Sequence, residues 1–464
     1  MLNAVIIREL QGVVGKDYVL TEPEDLVIYS NDATVFSHMP DAVVKPRTTE
    51  EVSALVKVAA RYKIPLTARG AATCLSGGAV PLKGGIVVEM VRMNRIRKID
   101  VTNKVAVAEA GVITFELTTQ AAKAGLLYPP DPSSLKESTL GGNVAECAGG
   151  PKGVKYGITR NFVLGVEAVL PDGTIVETGN AIDGDMCGPE WTMLLTGSEG
   201  TMALITAMTL RLVPIPETKK TMMAIYRDLA DAAKTVSTTM AAGIIPTTLE
   251  IMDNLSIVAV EKAVKIGLPV HAGGLLIIEV DGVPSTVEEN ALRISEICKE
   301  CGAIEVKIAQ TPEEAENLWT ARRSVAKAFG QVAPCKFAED ATVPRSLVPV
   351  LIEKFVEIGK KYDLPMMIVG HAGDGNTHPT ILFDKRDKDM VARAEKALDE
   401  LHIVTLEHGG TLSGEHGIGC AKAPYLRAET GEVGYRLGQQ IKAAFDPDGI
   451  MNPGKMFNYE GELH

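Results

Sequence analysis

PLTARGAATCLSGGAVP, residues 65–81, runs a strand-like PLTAR into a loop made almost entirely of small residues. Such a loop exposes consecutive backbone N–H groups and lets a ligand approach the main chain closely, which suits a pyrophosphate. It matches neither the Rossmann pattern G-x-G-x-x-G nor the Walker pattern G-x-x-x-x-G-K-[ST]. Alone it could equally be a bulged turn. Two further stretches have the same texture: PPDPSSLKESTLGGNVAECAGG at 129–150 and TGSEGTMALIT at 196–206. Three such segments in one region are hard to explain as ordinary turns and point to one extended ligand buried along its length.

The surrounding chain alternates helix-like and strand-like units. DAVVKP is strand-like, TTEEVSALVKVAARYK is an amphipathic helix opened by a Thr cap, and GGIVVEM, KVAVAEAGV and NFVLGVEAVLPDGTIVET supply further strands. The two prolines of LRLVPIPE mark a boundary near residue 217. Beyond it, LEIMD and GLLIIEVDG are strand-like. VEENALRISEICKECG, TPEEAENLWTARRSVAKAFG and a charged stretch from Lys388 to His408 are helix-like. Helices interleaved with hairpins indicate an α+β domain with an antiparallel sheet.

Bulk composition narrows the function classes. The 464 residues, 46% hydrophobic and 23% charged, can build two or three domains with sizeable cores. A net charge of −12 argues against nucleic acid as a partner but leaves room for an anionic substrate at a local basic site. MLNAVIIRELQGVVGKDYVL lacks the sustained apolar core of a signal peptide, and no run reaches the ~18 apolar residues of a transmembrane segment. Seven scattered cysteines fit a reducing, cytoplasmic location. Cys298 and Cys301 close a helix-like stretch before Gly302 and are read as packing; the cysteine runs of iron–sulfur proteins are absent.

HAGDGNTH, residues 371–378, lies between the apolar runs MMIV and PTILF. If Asp374-Gly375 forms a two-residue type I′ turn, His371 faces His378 directly across a hairpin. Two imidazoles so placed can share a metal ion; the alternative is a pair of buried histidines satisfied by backbone carbonyls.

Together, RGAATCLSGG, DPSSLKESTLGGNVAECAGG and GSEGTMALIT resemble the FAD-binding domain of the vanillyl-alcohol oxidase type. HAGDGNTH, SGEHGIG (413–419) and FDPDGIMNPGK (445–455) narrow the resemblance to the FAD-linked D-2-hydroxyacid dehydrogenases, over nearly the whole chain. Ala72 and Cys74 stand where the family loop commonly has glycines. The resemblance implies an α+β protein with a two-part FAD-binding domain of the PCMH type. That domain would cover 1–217 and be completed by 423–464, with an α+β cap domain for substrate over 218–422. FAD would be held by Arg69, Gly70, Ala71, Ala72, Thr73, Cys74, Ser76 and Gly77. From the second segment come Pro130, Asp131, Ser134, Thr139, Gly141, Gly142, Asn143 and Ala145, and from elsewhere Glu199, Gly200, Ile205, Asn376 and Asn452. A covalent flavin link at Cys74 is not expected.

The resemblance also brings SGEHGIG to the hairpin, so that His371, His378 and Glu415 form a two-histidine, one-carboxylate set for zinc, iron(II) or manganese. His416 is the expected general base, and Arg322, in LWTARR, the expected anchor for the substrate carboxylate, with Lys336 a second candidate. Thr380 stands where the D-2-hydroxyglutarate enzymes carry Asn, which favours a small monocarboxylate, D-lactate before glycolate. With no iron–sulfur, haem or dinucleotide motif in this chain, electrons are expected to pass to a partner protein. An electron-transferring flavoprotein is favoured over an iron–sulfur subunit, and a membrane quinone is the weakest option. The alternatives are a glycolate or D-2-hydroxyglutarate dehydrogenase of the same family or, from another class, a flavin-free metal-dependent hydrolase.

Overall fold

The computed structural model describes residues 2–181 and 190–458. The described chain divides into two compact units, one of residues 2–149, 158–181, 190–215 and 415–458, the other of 150–157 and 216–414.

The first unit contains two main sheets and a short ribbon in which Leu126–Leu127 pairs with Val213–Pro214. In the smaller, Ala42–Val44 and Leu66–Arg69 pair in parallel with Ile86–Glu89 between them, and Val19–Leu20 adds an antiparallel edge. Parallel neighbours need a crossover, supplied by the helix Thr49–Tyr62. Thr48 caps that helix by accepting the Glu51 N–H, and Val52, Leu55, Val56 and Ala59 bury its apolar stripe. The larger sheet is antiparallel, ordered Ile96–Asp100, Val105–Glu109, Leu204–Arg211, Val163–Val169, Ile175–Gly179. Its last hairpin turns at Pro171-Asp172-Gly173, where Gly173 has φ +83° and the Asp172 carboxylate accepts the Thr174 N–H. The C-terminal segment returns to this unit: Leu66 N–H donates to Ile450 O, and Asn452 N–H to Leu66 O.

The second unit is built on an eight-stranded, fully antiparallel sheet. Its order is Glu305–Ile308, Thr218–Tyr226, Gly274–Gly282, Thr248–Asp253, Met366–His371, Asn376–Phe383, Cys335–Ala338, with Ala341–Thr342 also paired to Asn376–Phe383. Helices cover both faces. Leu229–Ala241, Pro284–Glu300, Val348–Tyr362 and Lys388–Glu407 pack over Met222, Ala224, Leu249, Ile251, Ile278, Ile368 and Ile381. Asn254–Val264, Pro312–Arg323 and Val325–Ala328 pack over Met223, Ile225, Met252, Ile277, Met367, Val369 and Leu382. This double covering explains why GLLII and MMIV are continuously apolar although the sheet is antiparallel, a pattern more usual in parallel sheets. Each fully buried Val, Leu or Ile in these runs contributes about 1.5–3 kcal/mol. Cys298 and Cys301 are buried and free, on the Pro284–Glu300 helix and at its C-terminal end. Among the described residues, no helix is long and apolar enough to cross a membrane.

Candidate active site

Side chains two apart on a strand share a face. In the second unit that rule puts Glu250 beside Met252, His371 beside Val369, and His378 and Thr380 beside Leu382. All of them sit on the sheet face that carries the Pro312–Arg323 helix. Apolar residues thus fill one end of the face and polar residues the other.

The hairpin differs from the expected two-residue turn. His371 pairs with Asn376, and His378 lies two positions further along, opposite Val369. The loop is four residues, 372–375, with successive turn bonds from Asp374 N–H to His371 O and Gly375 N–H to Ala372 O. Of the proposed central pair only Gly375 has positive φ, +94°; Asp374 instead uses its carboxylate to accept the Asn376 N–H, so the type I′ geometry is not met. The register still leaves both histidines on one face, with ring centroids 4.9 Å apart and nearly perpendicular.

Both rings are held from behind. His371 Nδ1 is 2.7 Å from Glu250 Oε1, and His378 Nδ1 is 3.3 Å from the Glu339 carbonyl oxygen. Neither partner can donate, so each Nδ1 carries the hydrogen, and in the neutral ring Nε2 is the lone-pair atom. Asp340, next to Glu339, accepts from Ser413 Oγ and from Gly414 N–H and so fixes the loop that ends this unit. Glu415 follows directly on Gly414. Its carboxylate and the two imidazoles offer donor atoms that all lie within 4.8 Å of one another, a set whose chemistry fits a divalent cation. His416 Nε2 is 3.9 Å from Glu415 Oε1, and both side chains are largely buried.

The two candidate anchors sit in different surroundings. Arg322 is buried, its Nε 2.5 Å from Glu250 Oε2; Arg323 is more exposed and pairs with Glu316. Lys336 packs its ammonium over the Phe329 ring, 4.5 Å from the centroid, and makes no carboxylate pair among the described residues. Burial pushes its pKa down, as expected for a cation without a counter-charge. Opposite Leu382 in the ladder, it shares the face of His378 and Thr380. Thr380 Oγ1 and Asn376 Oδ1 are buried without a hydrogen-bond partner among the described residues.

In the first unit the three small-residue segments converge. Gly70 lies so close to Thr139 that a Cβ there would meet its hydroxyl at 2.1 Å, and a Cβ at Gly141 would meet that of Ala110 at 2.6 Å. Thr139 caps the helix Leu140–Glu146 by accepting Gly142 N–H, while Asn143 Nδ2 donates to Thr114. Ala145 O accepts the N–H of Glu199, which has φ +52°, and the Glu199 carboxylate accepts the N–H groups of Ile418 and Gly419 at 2.7 Å each. Asn452 Nδ2 donates to Gly78 O and Glu199 O, bracing the same loops. The Arg69 guanidinium bonds the carbonyls of Ile28 and Asn31. Ser134 O accepts from Glu137 and Ser138, Pro130 and Ile205 are buried, Asp131 is half-buried, and Gly200 adopts φ +69°.

Fit to a phosphate-bearing cofactor rests on the first loop. Among the described residues, none of the N–H groups from Gly70 through Ser76, including Ala71 and Thr73, donates a hydrogen bond to the protein. Such a run of bare donors is what a pyrophosphate satisfies. Ala72 holds the left-handed conformation, φ +54°, that a glycine would adopt freely, and Gly77 has φ +81°. Cys74 Sγ donates to Asp32 Oδ2 at 3.1 Å, and burial pushes its thiol well up, so it is a packed thiol rather than a nucleophile.

Two residues were not foreseen. Glu250 is a lone acid inside the apolar strand LEIMD. Glu146, in VAECAGG, accepts from Ser76 Oγ, and burial together with Glu199 raises its pKa well above the usual carboxylate value. In each case an acid within an otherwise apolar or small-residue run was the available signal.

Residues 215–456 match the family model described as FAD linked oxidases, C-terminal domain, and residues 40–179 the model described as FAD binding domain. Glycolate oxidase subunit GlcD of Bacillus subtilis (strain 168) is 46% identical over 458 residues, 98% of this chain and 97% of that protein. D-lactate dehydrogenase of Anaerostipes hadrus is 35% identical over 90% of this chain and 89% of that one. The solved 4-ethylphenol oxidase from Gulosibacter chungangensis superposes with a TM-score of 0.81 at 20% identity, covering 98% of this chain and 96% of that one, and so shares the fold. The bare N–H loop, the converging glycine segments and these full-length relatives place the chain in the FAD-linked oxidase family, as an FAD-linked oxidoreductase of the 2-hydroxyacid dehydrogenase type.

Proposed function

We propose that this enzyme oxidises a small 2-hydroxy monocarboxylate, D-lactate or glycolate, to the 2-oxo acid with the help of a divalent cation, and passes the electrons to a protein acceptor. The observation that carries the reading is the donor set His371, His378 and Glu415, with both imidazoles fixed through Nδ1.

Bound FAD supplies the two-electron acceptor, and a bound zinc, iron(II) or manganese ion supplies positive charge at the substrate's oxygens. The chain's own residues do the rest. Lys336, half-buried and without a carboxylate partner among the described residues, holds the substrate carboxylate together with Arg322, whose charge Glu250 already offsets. A substrate anion beside Lys336 restores the counter-charge that burial denies it. His416, at a neutral ring nitrogen, takes the hydroxyl proton as the Cα hydride leaves. Thr380, standing where the D-2-hydroxyglutarate enzymes carry Asn, offers no side-chain amide to a second carboxylate and so favours a short monocarboxylate. A site that accepts D-lactate has room for glycolate, which lacks only the methyl group, worth about 1–3 kcal/mol of discrimination. Glycolate is favoured as the second reading because the Bacillus subtilis relative is named for it. An electron-transferring flavoprotein is the proposed acceptor, since the sequence carries no iron–sulfur cysteine run to relay electrons itself.

An anaerobic visible spectrum recorded before and after D-lactate, L-lactate, glycolate and D-2-hydroxyglutarate tests the reading. Bleaching by D-lactate or glycolate and not by L-lactate supports it. Bleaching by D-2-hydroxyglutarate alone would overturn the substrate class, and a protein that is colourless and takes up no FAD would overturn the flavoenzyme.

A further inference from the structure

Glu250 is wholly buried in the strand Thr248–Asp253, and each of its carboxylate oxygens has its own cationic or donor partner. Oε1 is 2.7 Å from Nδ1 of His371, and Oε2 is 2.5 Å from Nε of Arg322. A carboxylate in a sheet core is costly unless it is paired and hydrogen-bonded on both oxygens. Three residues earlier on the arginine's helix, Trp319 Nε1 donates to the buried Glu279 at 3.1 Å. The spacing W-x-x-R therefore pins one helix to two buried acids on neighbouring strands.

We infer that Glu250 is a positioning residue that joins the cation site to the substrate's anchor: it fixes His371 with Nε2 as the ligand atom and at the same time sets the place of the Arg322 guanidinium. The inference rests on the cation reading of His371, His378 and Glu415. A carboxylate behind a metal-binding imidazole orients the ring and makes its far nitrogen a better ligand, and its removal lowers metal affinity about 10–100-fold. The same carboxylate keeps Arg322 from collapsing onto solvent or another acid. Its removal therefore disturbs the metal and the substrate anion together, whereas removal of Arg322 disturbs only the anion.

The test is Zn²⁺ titration of the full-length, FAD-loaded protein after chelator treatment, with D-lactate KM measured alongside. Glu250→Gln is expected to weaken Zn²⁺ binding about 10–100-fold and to raise KM. Arg322→Met is expected to raise KM while Zn²⁺ affinity stays within the same decade. A merely structural ion pair would give both variants the same Zn²⁺ affinity. Equal affinity in Glu250→Gln and wild type, or an equal loss in Arg322→Met, overturns the inference. Because Glu250→Gln leaves a buried guanidinium unpaired and can fail to fold, Glu250→Gln/Arg322→Met is compared with Arg322→Met. The double variant should bind Zn²⁺ about 10–100-fold more weakly, and equal binding overturns the inference. A wild-type protein that takes up no Zn²⁺, Mn²⁺ or Fe²⁺ overturns the cation reading itself, a result distinct from any difference between variants.

Discussion

The cofactor loops of the first unit and the polar end of the sheet in the second unit solve recognition by opposite means. The loops present main chain: bare N–H groups from Gly70 to Ser76, glycines flush against Thr139 and Ala110, and side chains such as Asn452 and Glu199 that bond backbone. The sheet presents buried side chains that partner one another, as in Glu250 with His371 and Arg322. A site made of main chain tolerates a change of side chain if the new one is small, which is how Ala72 occupies a left-handed, glycine-like position. A site made of buried charged groups has no such slack, because removing one partner strands the other.

On that contrast the largest losses lie on the sheet. His378→Ala should abolish cation binding and slow flavin reduction about 10³-fold, the several kcal/mol of charge neutralisation expected of the ion, as measured by stopped-flow absorbance and metal content. His416→Asn should retain FAD and cation yet slow reduction about 10²-fold or more; unchanged reduction would remove His416 from the base role. Lys336→Met should raise KM about 10–100-fold, the value of one hydrogen bond to a charged group, with a smaller change in kcat.

Asp253 sharpens the comparison through pH. It caps the helix Asn254–Val264 by accepting Ser256 N–H, and burial pushes its pKa up to about 6. In the unfolded chain the group releases its proton near 3.9. Between these values the folded chain binds more protons, so stability falls as pH rises from about 4 to about 6. Asp253→Asn keeps the cap and avoids the charge. Its melting temperature should match wild type near pH 4 and exceed it at pH 7, and a difference that does not grow with pH would show that the carboxyl is not strained by burial. The smallest effect is expected on the loop: Cys74→Ser should leave FAD content unchanged, with all flavin released on acid precipitation. Flavin retained by the precipitated wild type and released by the variant would mean a covalent link.

Much of this was legible because it is local. The Thr48-capped helix, the Pro-Asp-Gly hairpin and the long helix from Lys388 follow from periodicity and turn chemistry within about 20 residues. The hairpin register was not, because Asp374-Gly375 supports more than one loop length. Pairing of the flanking strands with Thr248–Asp253 and Cys335–Ala338 belongs to the whole sheet.

The sequence by itself determined the kinds of surface available: small-residue loops able to present backbone to a cofactor, and a histidine-bearing hairpin inside apolar strands. Tertiary structure alone decided which polar groups share one face and who partners whom. Glu250 and His371 are 121 positions apart, and Glu250 and Arg322 are 72. Their meeting depends on strand order and on where one helix lies across the sheet. No spacing along the chain encodes a contact made by folding over such distances, because loop lengths and strand crossovers set it jointly.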